Sequence, residues 1–137
     1  MPKRRPVDPP GIVTKTSSAT VDDTVSRLQA LLGERGLKVF DVIDHSGEAG
    51  AAGLALRPTK VVIFGSPAAG TPVMDAVPLS ALDLPLKVLV WDDDGVTRVS
   101  YTAPDVLAAR YGLDGELAAR LAGIDPLTSA LVSDRPT

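Results

Sequence analysis

Apolar residues recur along this chain at changing spacings, and each spacing predicts a different element. Ile12 and Val13 make residues 11–16 a short strand. Val21, Val25, Leu28, Leu31 and Leu32 then fall on one face at helical spacing, which predicts a helix over about 21–35. Thr20 can cap it, and Asp23 three residues later completes a capping-box-like pair with an acid in the first turn. Gly33 and Gly36 both offer stops. Gly36 is the better C′ residue, because Leu37 begins a new pattern.

Residues 37–44 read as a strand rich in Val, Ile and Phe, with apolar residues at both parities, so a bulge or two-sided burial is expected. Residues 47–53 are small and give a loop or one weak helical turn. Residues 60–64 form a short continuous apolar strand. Residues 65–85 do not fit a strand. Thr71 and Pro72 form an N-cap and N1 pair for a helix near 71–77, and Pro78 and Pro85 bracket a second irregular connection. Residues 86–91 and 96–101 form a hairpin whose turn chemistry is Asp94-Gly95. Thr102 caps another helix, with Pro104 and Asp105 in its first turn and Val106, Leu107 and Tyr111 inward. Gly112 interrupts it, and helical turns follow at about 115–122 and 126–132.

Only one helix-length crossover lies between strands, so a doubly wound parallel sheet is not expected. The order predicts an α+β fold, an antiparallel sheet with helices packed on one face, as a single domain over residues 11–137. Residues 1–10, with four prolines and three basic residues, read as a disordered or extended arm.

Composition narrows the chemistry. A chain of 137 residues with 45 % apolar content can bury roughly two-thirds of its unfolded surface without staples. It has no cysteine, which excludes disulfides, thiolate catalysis, iron–sulfur clusters and cysteine-based zinc sites. The net charge is −3; Lys3, Arg4 and Arg5 against Asp8 leave the arm at +2 and the body at −5. An acidic body matches a polyphosphate backbone poorly, so no nucleic-acid partner is expected. No apolar run approaches the ~20 residues that span a bilayer, and no secretory signal follows the basic cluster. No membrane partner is expected, and the cytoplasm is the default location.

Few motifs carry chemistry. Gly65-Ser-Pro-Ala-Ala-Gly70 follows an apolar strand and imitates a phosphate loop, but Thr71 and Pro72 stand where that loop needs Lys and Ser/Thr. Backbone N–H groups there could still meet a carboxylate or phosphate; a turn shaped by its two glycines is the plainer account. Three consecutive acids, Asp92 to Asp94, diverge on a hairpin tip rather than converging on a cation, so no metal is expected. His45, the sole histidine, ends a strand beside Asp44 and is a candidate general acid/base or a hydrogen-bonded strand end. Asp83 and Lys87 lie four residues apart across Pro85, spaced for a surface ion pair or a cleft rim. Trp91 and Tyr101 suit core or interface packing, and no serine sits in a nucleophile elbow.

Taken together, three runs carry a resemblance: residues 56–67 (LRPTKVVIFGSP), 70–74 (GTPVM) and 83–92 (DLPLKVLVWD), flanked by Ile43-Asp-His45 and by Tyr101, Pro104 and residues 107–110 (LAAR). Over about residues 12–113 the chain resembles the domain-of-unknown-function family 302. The resemblance implies a strongly curved antiparallel sheet of β-α-β4-α type, related to the TATA-binding-protein fold, usually in a homodimer. It implies no activity, and no cofactor is expected. Ser66 stands where the family usually has Asn, and Tyr111 where His commonly follows the Arg, which weakens any mechanism needing a second imidazole.

The expected function is therefore a homodimeric small-ligand or interaction module. Its candidate ligand residues are Ser66, Gly70, Thr71, Asp83 and Tyr101, and the ligand a small or anionic molecule. One alternative is an enzyme using His45 as acid/base with Lys87 in a pocket beside residues 65–85. Another is a purely structural homodimer.

Overall fold

The computed structural model describes residues 8–133. Five strands, β1 (Ile12–Ser17), β2 (Lys38–Asp44), β3 (Thr59–Gly65), β4 (Leu86–Asp93) and β5 (Val96–Thr102), form one sheet in the order β1-β5-β4-β3-β2. Every neighbouring pair is antiparallel. β1 and β2 are opposite edges, so the helix between them, α1 (Val21–Glu34), must cross the sheet to connect them. The fold is the expected α+β class.

α1 forms where the periodicity places it. The Thr20 hydroxyl accepts from the Asp23 N–H at 3.1 Å. At the other end Gly36 has φ +69°, Leu37 N–H reaches the Leu32 carbonyl at 2.9 Å, and Gly36 N–H reaches Gly33 at 3.1 Å. These paired bonds satisfy carbonyls the helix would otherwise leave open. Val21, Val25, Leu28 and Leu32 face the sheet, where Val62, Phe64, Val88, Val90, Val99 and Tyr101 complete the core. Ile124, Leu127 and Leu131 of the last helix, α6 (Ile124–Leu131), close it. Lys15 ties β1 to α6 by donating to the Asp125 carbonyl and to the Thr128 and Ser129 hydroxyls.

The mixed parity of β2 is a bulge. Pairing shifts between Val39 and Asp41, so Phe40 is the extra residue, while Val39 and Val42 lie opposite Phe64 and Val62 on the core side. The β4–β5 hairpin turns on Asp94 and Gly95, with φ +49° and +92°, the left-handed pair that matches strand twist.

Three local expectations change. His45 does not end a strand: it is the first residue of α2 (His45–Ala51), in a stretch that small residues had marked as loop or one turn. Asp44 causes this by accepting from Ser46 Oγ at 2.7 Å and from Gly47 N–H at 2.9 Å, which caps a helix. Second, the helix after β3, α3 (Pro67–Ala76), starts four residues before the Thr71-Pro72 signal. Ser66-Pro67 carries the same cap-and-proline signature, and Ser66 Oγ accepts from Ala69 N–H at 3.3 Å. Pro72 is tolerated inside because the carbonyl its missing N–H would serve belongs to Ala68, which is exposed to water. Third, Thr102 stays in β5 opposite Ile12 and does not cap α4 (Pro104–Arg110); Ala103 holds that position without a side-chain bond. A 3-10 turn (Pro78–Leu82) follows α3, and α5 (Gly115–Ala119) precedes α6. The arm's residues 1–7 lie outside the described residues; Asp8 accepts from the Thr14 hydroxyl at 3.1 Å.

Candidate functional site

The bulge of β2, the end of β3, the start of α3 and the returning chain at residues 84–86 border a partly open cavity of about 300 Å³. Phe40, Met74, Leu84, Pro85, Leu86 and Leu121 give it apolar walls, and Arg120 lies at its border. Ser66, Gly70 and Thr71 line it too, so three of the candidate ligand residues do converge. The Ser66 hydroxyl is occupied as the α3 cap.

Gly65 and Gly70 do not shape a turn. Neither has a positive φ. A Cβ on Gly65 would meet Pro85 Cβ at 3.6 Å and Phe40 Cε2 at 3.8 Å, and one on Gly70 would meet Met74 Cε at 3.7 Å. Both glycines therefore hold space open against cavity walls. At Gly70, inside a helix, that space costs about 1 kcal/mol relative to alanine.

Behind the cavity sits a polar cluster. Asp83 accepts from Arg110 Nη1 at 2.8 Å and from the Tyr111 hydroxyl. The Tyr111 hydrogen bond, aided by Arg110 and opposed by burial, holds the Asp83 carboxyl below its usual value; Asp83 in turn raises the Tyr111 phenol. The expected Asp83–Lys87 pair is thus replaced by Asp83–Arg110, because α4 delivers a guanidinium to the carboxylate. Lys87 adds only a weaker attraction.

The remaining candidates are dispersed. Lys87 projects on the opposite side of the sheet from the core and borders a groove of about 430 Å³ with Ile12, Val61, Leu89 and Trp91. Trp91 Nε1 donates there to Ser100 Oγ at 3.0 Å. His45 is exposed and lines neither space. In the β2-β3-β4 register Asp44 aligns with Lys60 and Val90, three residues from Lys87 and two strands away. Standard strand spacings then separate His45 and Lys87 by roughly 16 Å. Tyr101 is a core residue whose hydroxyl donates to Asp125 on α6; burial first, then Asp125, push its phenol up to about 12.

The residues sequence reasoning missed are mostly apolar: Phe40, Met74, Leu84 and Leu121. One signal did exist. Phe40 breaks the alternation of β2, which marks a side chain displaced from the core.

Fold and site define a small α+β domain with one helix-covered sheet face and an apolar cavity beside the bulge. The chain belongs to the family described as "Domain of unknown function DUF302", whose model matches residues 13–129. A crystal structure of an uncharacterized conserved DUF302 protein from Bacillus stearothermophilus has the same fold, with a TM-score of 0.77, 22 % identity, and coverage of 90 % of this chain and 97 % of that one. Two curated relatives are named as fluoride-specific ion channels. FluC 1 of Brucella suis is 35 % identical over 129 residues, covering 90 % of this chain and 51 % of the relative; FluC 2 of Brucella melitensis gives the same identity over 48 % of its length. The chain spans about half the length of these relatives. Among the described residues no helix is long and apolar enough to cross a membrane.

Proposed function

We propose that this domain binds a small, mainly apolar molecule in the cavity between the β2 bulge and α3. The observation that carries this is Gly70: a glycine kept in mid-helix, at a cost to that helix, where a side chain would protrude into the cavity. The volume, about 300 Å³, is at the lower end of ordinary ligand pockets. A concave apolar space of this size supports the ligand reading over a purely structural dimer. The separation of His45 from Lys87 removes support for their joint acid–base role.

The relatives' names raise fluoride as a ligand, and the cavity suits it poorly. A small, strongly hydrated anion needs several donors to replace its water, and these walls supply few. In thermal-shift assays, millimolar toluene or ethylbenzene should raise Tm, since a ligand of the native state stabilises it. Fluoride should not, and Gly70→Leu should remove the response while the protein stays folded. No stabilisation by any apolar compound sinks the proposal.

A second reading concerns assembly. Ile43, Val61, Ile63, Leu89 and Trp91 share the sheet face turned away from the core, an apolar surface suited to a second copy. We propose a homodimer through this face, and the absence of cysteine suits the cytosol. Sedimentation of wild type and Leu89→Arg at micromolar concentration checks it: a wild-type monomer removes the dimer.

A further inference from the structure

Ser80 is the one buried side chain among the described residues whose polar atom has no hydrogen-bond partner. It is 2 % exposed. Its backbone is satisfied, the N–H donating to Val77 at 2.9 Å and the carbonyl accepting from Asp83 N–H at 3.0 Å, so the hydroxyl alone is stranded. A hydroxyl taken from water and left unpaired is unfavourable, and native proteins retain few such groups without a use.

The surroundings of Ser80 limit what its partner can be. It lines a crevice with Val73, Asp83, Leu84, Tyr111 and Leu121 that is too narrow to admit water. A trapped water is therefore not the partner. Leu84 and Leu121 also line the apolar cavity, so the crevice adjoins it, with these two leucine side chains between them. Side-chain rotamers commonly change on binding, so a ligand entering the cavity can displace them.

We infer that Ser80 Oγ is the polar anchor of the ligand held in the apolar cavity, and that this ligand is an uncharged molecule bearing a hydroxyl or carbonyl group. The inference rests on the cavity being a ligand site. A hydroxyl both donates and accepts, so it matches an alcohol or a carbonyl equally well. Charged ends are disfavoured. Asp83 borders the same crevice with its carboxylate already engaged by Tyr111 and Arg110, so an incoming carboxylate meets like charge. An ammonium would shed its hydration among leucine and valine, and the one carboxylate bordering the crevice, Asp83, is already neutralised by Arg110.

Three probes of similar size separate the possibilities: 2-phenylethanol, ethylbenzene and phenylacetate, titrated into wild type and Ser80→Ala by calorimetry. If Ser80 is the anchor, Ser80→Ala weakens 2-phenylethanol about fivefold and leaves ethylbenzene unchanged. Phenylacetate binds wild type more weakly than 2-phenylethanol does. The unliganded variant should melt no lower than wild type, since it loses only an unpartnered hydroxyl. Equal changes for 2-phenylethanol and ethylbenzene overturn the role of Ser80 while leaving the cavity reading intact. Tightest binding by phenylacetate also overturns it, pointing to Arg120 at the cavity border. If no probe binds wild type, the cavity reading fails and the anchor with it.

Discussion

Gly70→Ala should make the protein more stable, and the expected size follows from local geometry. Gly70 is the fourth residue of α3 and has no left-handed φ that only glycine could adopt. Alanine in a helix interior is favoured over glycine by about 0.8–1 kcal/mol, largely because glycine loses more backbone freedom on folding. The new methyl would lie 3.7 Å from Met74 Cε, an ordinary van der Waals contact that demands no shift. The net gain is therefore about 1 kcal/mol, which raises Tm by about 4 °C in a chain of this length. Urea unfolding followed by circular dichroism, with fluorescence of the single tryptophan as a second probe, measures it. The midpoint should rise with an unchanged slope. A lower midpoint would refute the reasoning, because it would mean that Gly70 relieves a clash rather than holding space open. The same variant narrows the cavity, so tighter folding should accompany weaker binding of bulky probes.

Other expectations follow from single side chains. Asp83 has a folded pKa below its ordinary 3.8, so its stabilising effect is present above that value and is lost as pH falls through the folded one. Asp83→Asn should lower Tm at pH 7 and flatten the loss of Tm between pH 5 and 2; an unchanged acid limb would contradict the cluster. Tyr101, raised to about 12, works in the opposite direction: its contribution is complete below pH 10 and fades as pH rises from 10 to 12. Tyr101→Phe should therefore reduce the loss of Tm across that window. Thr20→Ala removes the α1 cap and should cost about 1 kcal/mol, read as a Tm about 4 °C lower at neutral pH.

The fold was largely legible because its signals are local and repeated. The stripe from Val21 to Leu32, the Thr20 cap, Gly36 and the Asp94-Gly95 turn each name their element without reference to the rest of the chain. Competing signals were harder to read. Ser66-Pro67 and Thr71-Pro72 are chemically equivalent helix starts, and the end of β3 at Gly65 decides for the earlier one. Asp44 next to His45 suggests an oriented base, whereas the carboxylate turns to cap α2. The cavity was the least visible feature. Its walls come from residues 40, 65–74, 84–86 and 120–121, joined only by tertiary packing, and apolar residues there look the same as core. Gly65 and Gly70 read in the sequence as turn glycines, since a sequence does not distinguish a glycine that bends the chain from one that leaves room.

Whether the space beside α3 receives a ligand can be read from a ¹H–¹⁵N correlation titration with 2-phenylethanol. Saturable shifts are expected on Gly65, Gly70, Thr71 and Leu86, extending to Ser80, with Trp91 and Ser100 unmoved. Shifts centred on Trp91 and Leu89, or none at millimolar probe, would contradict it.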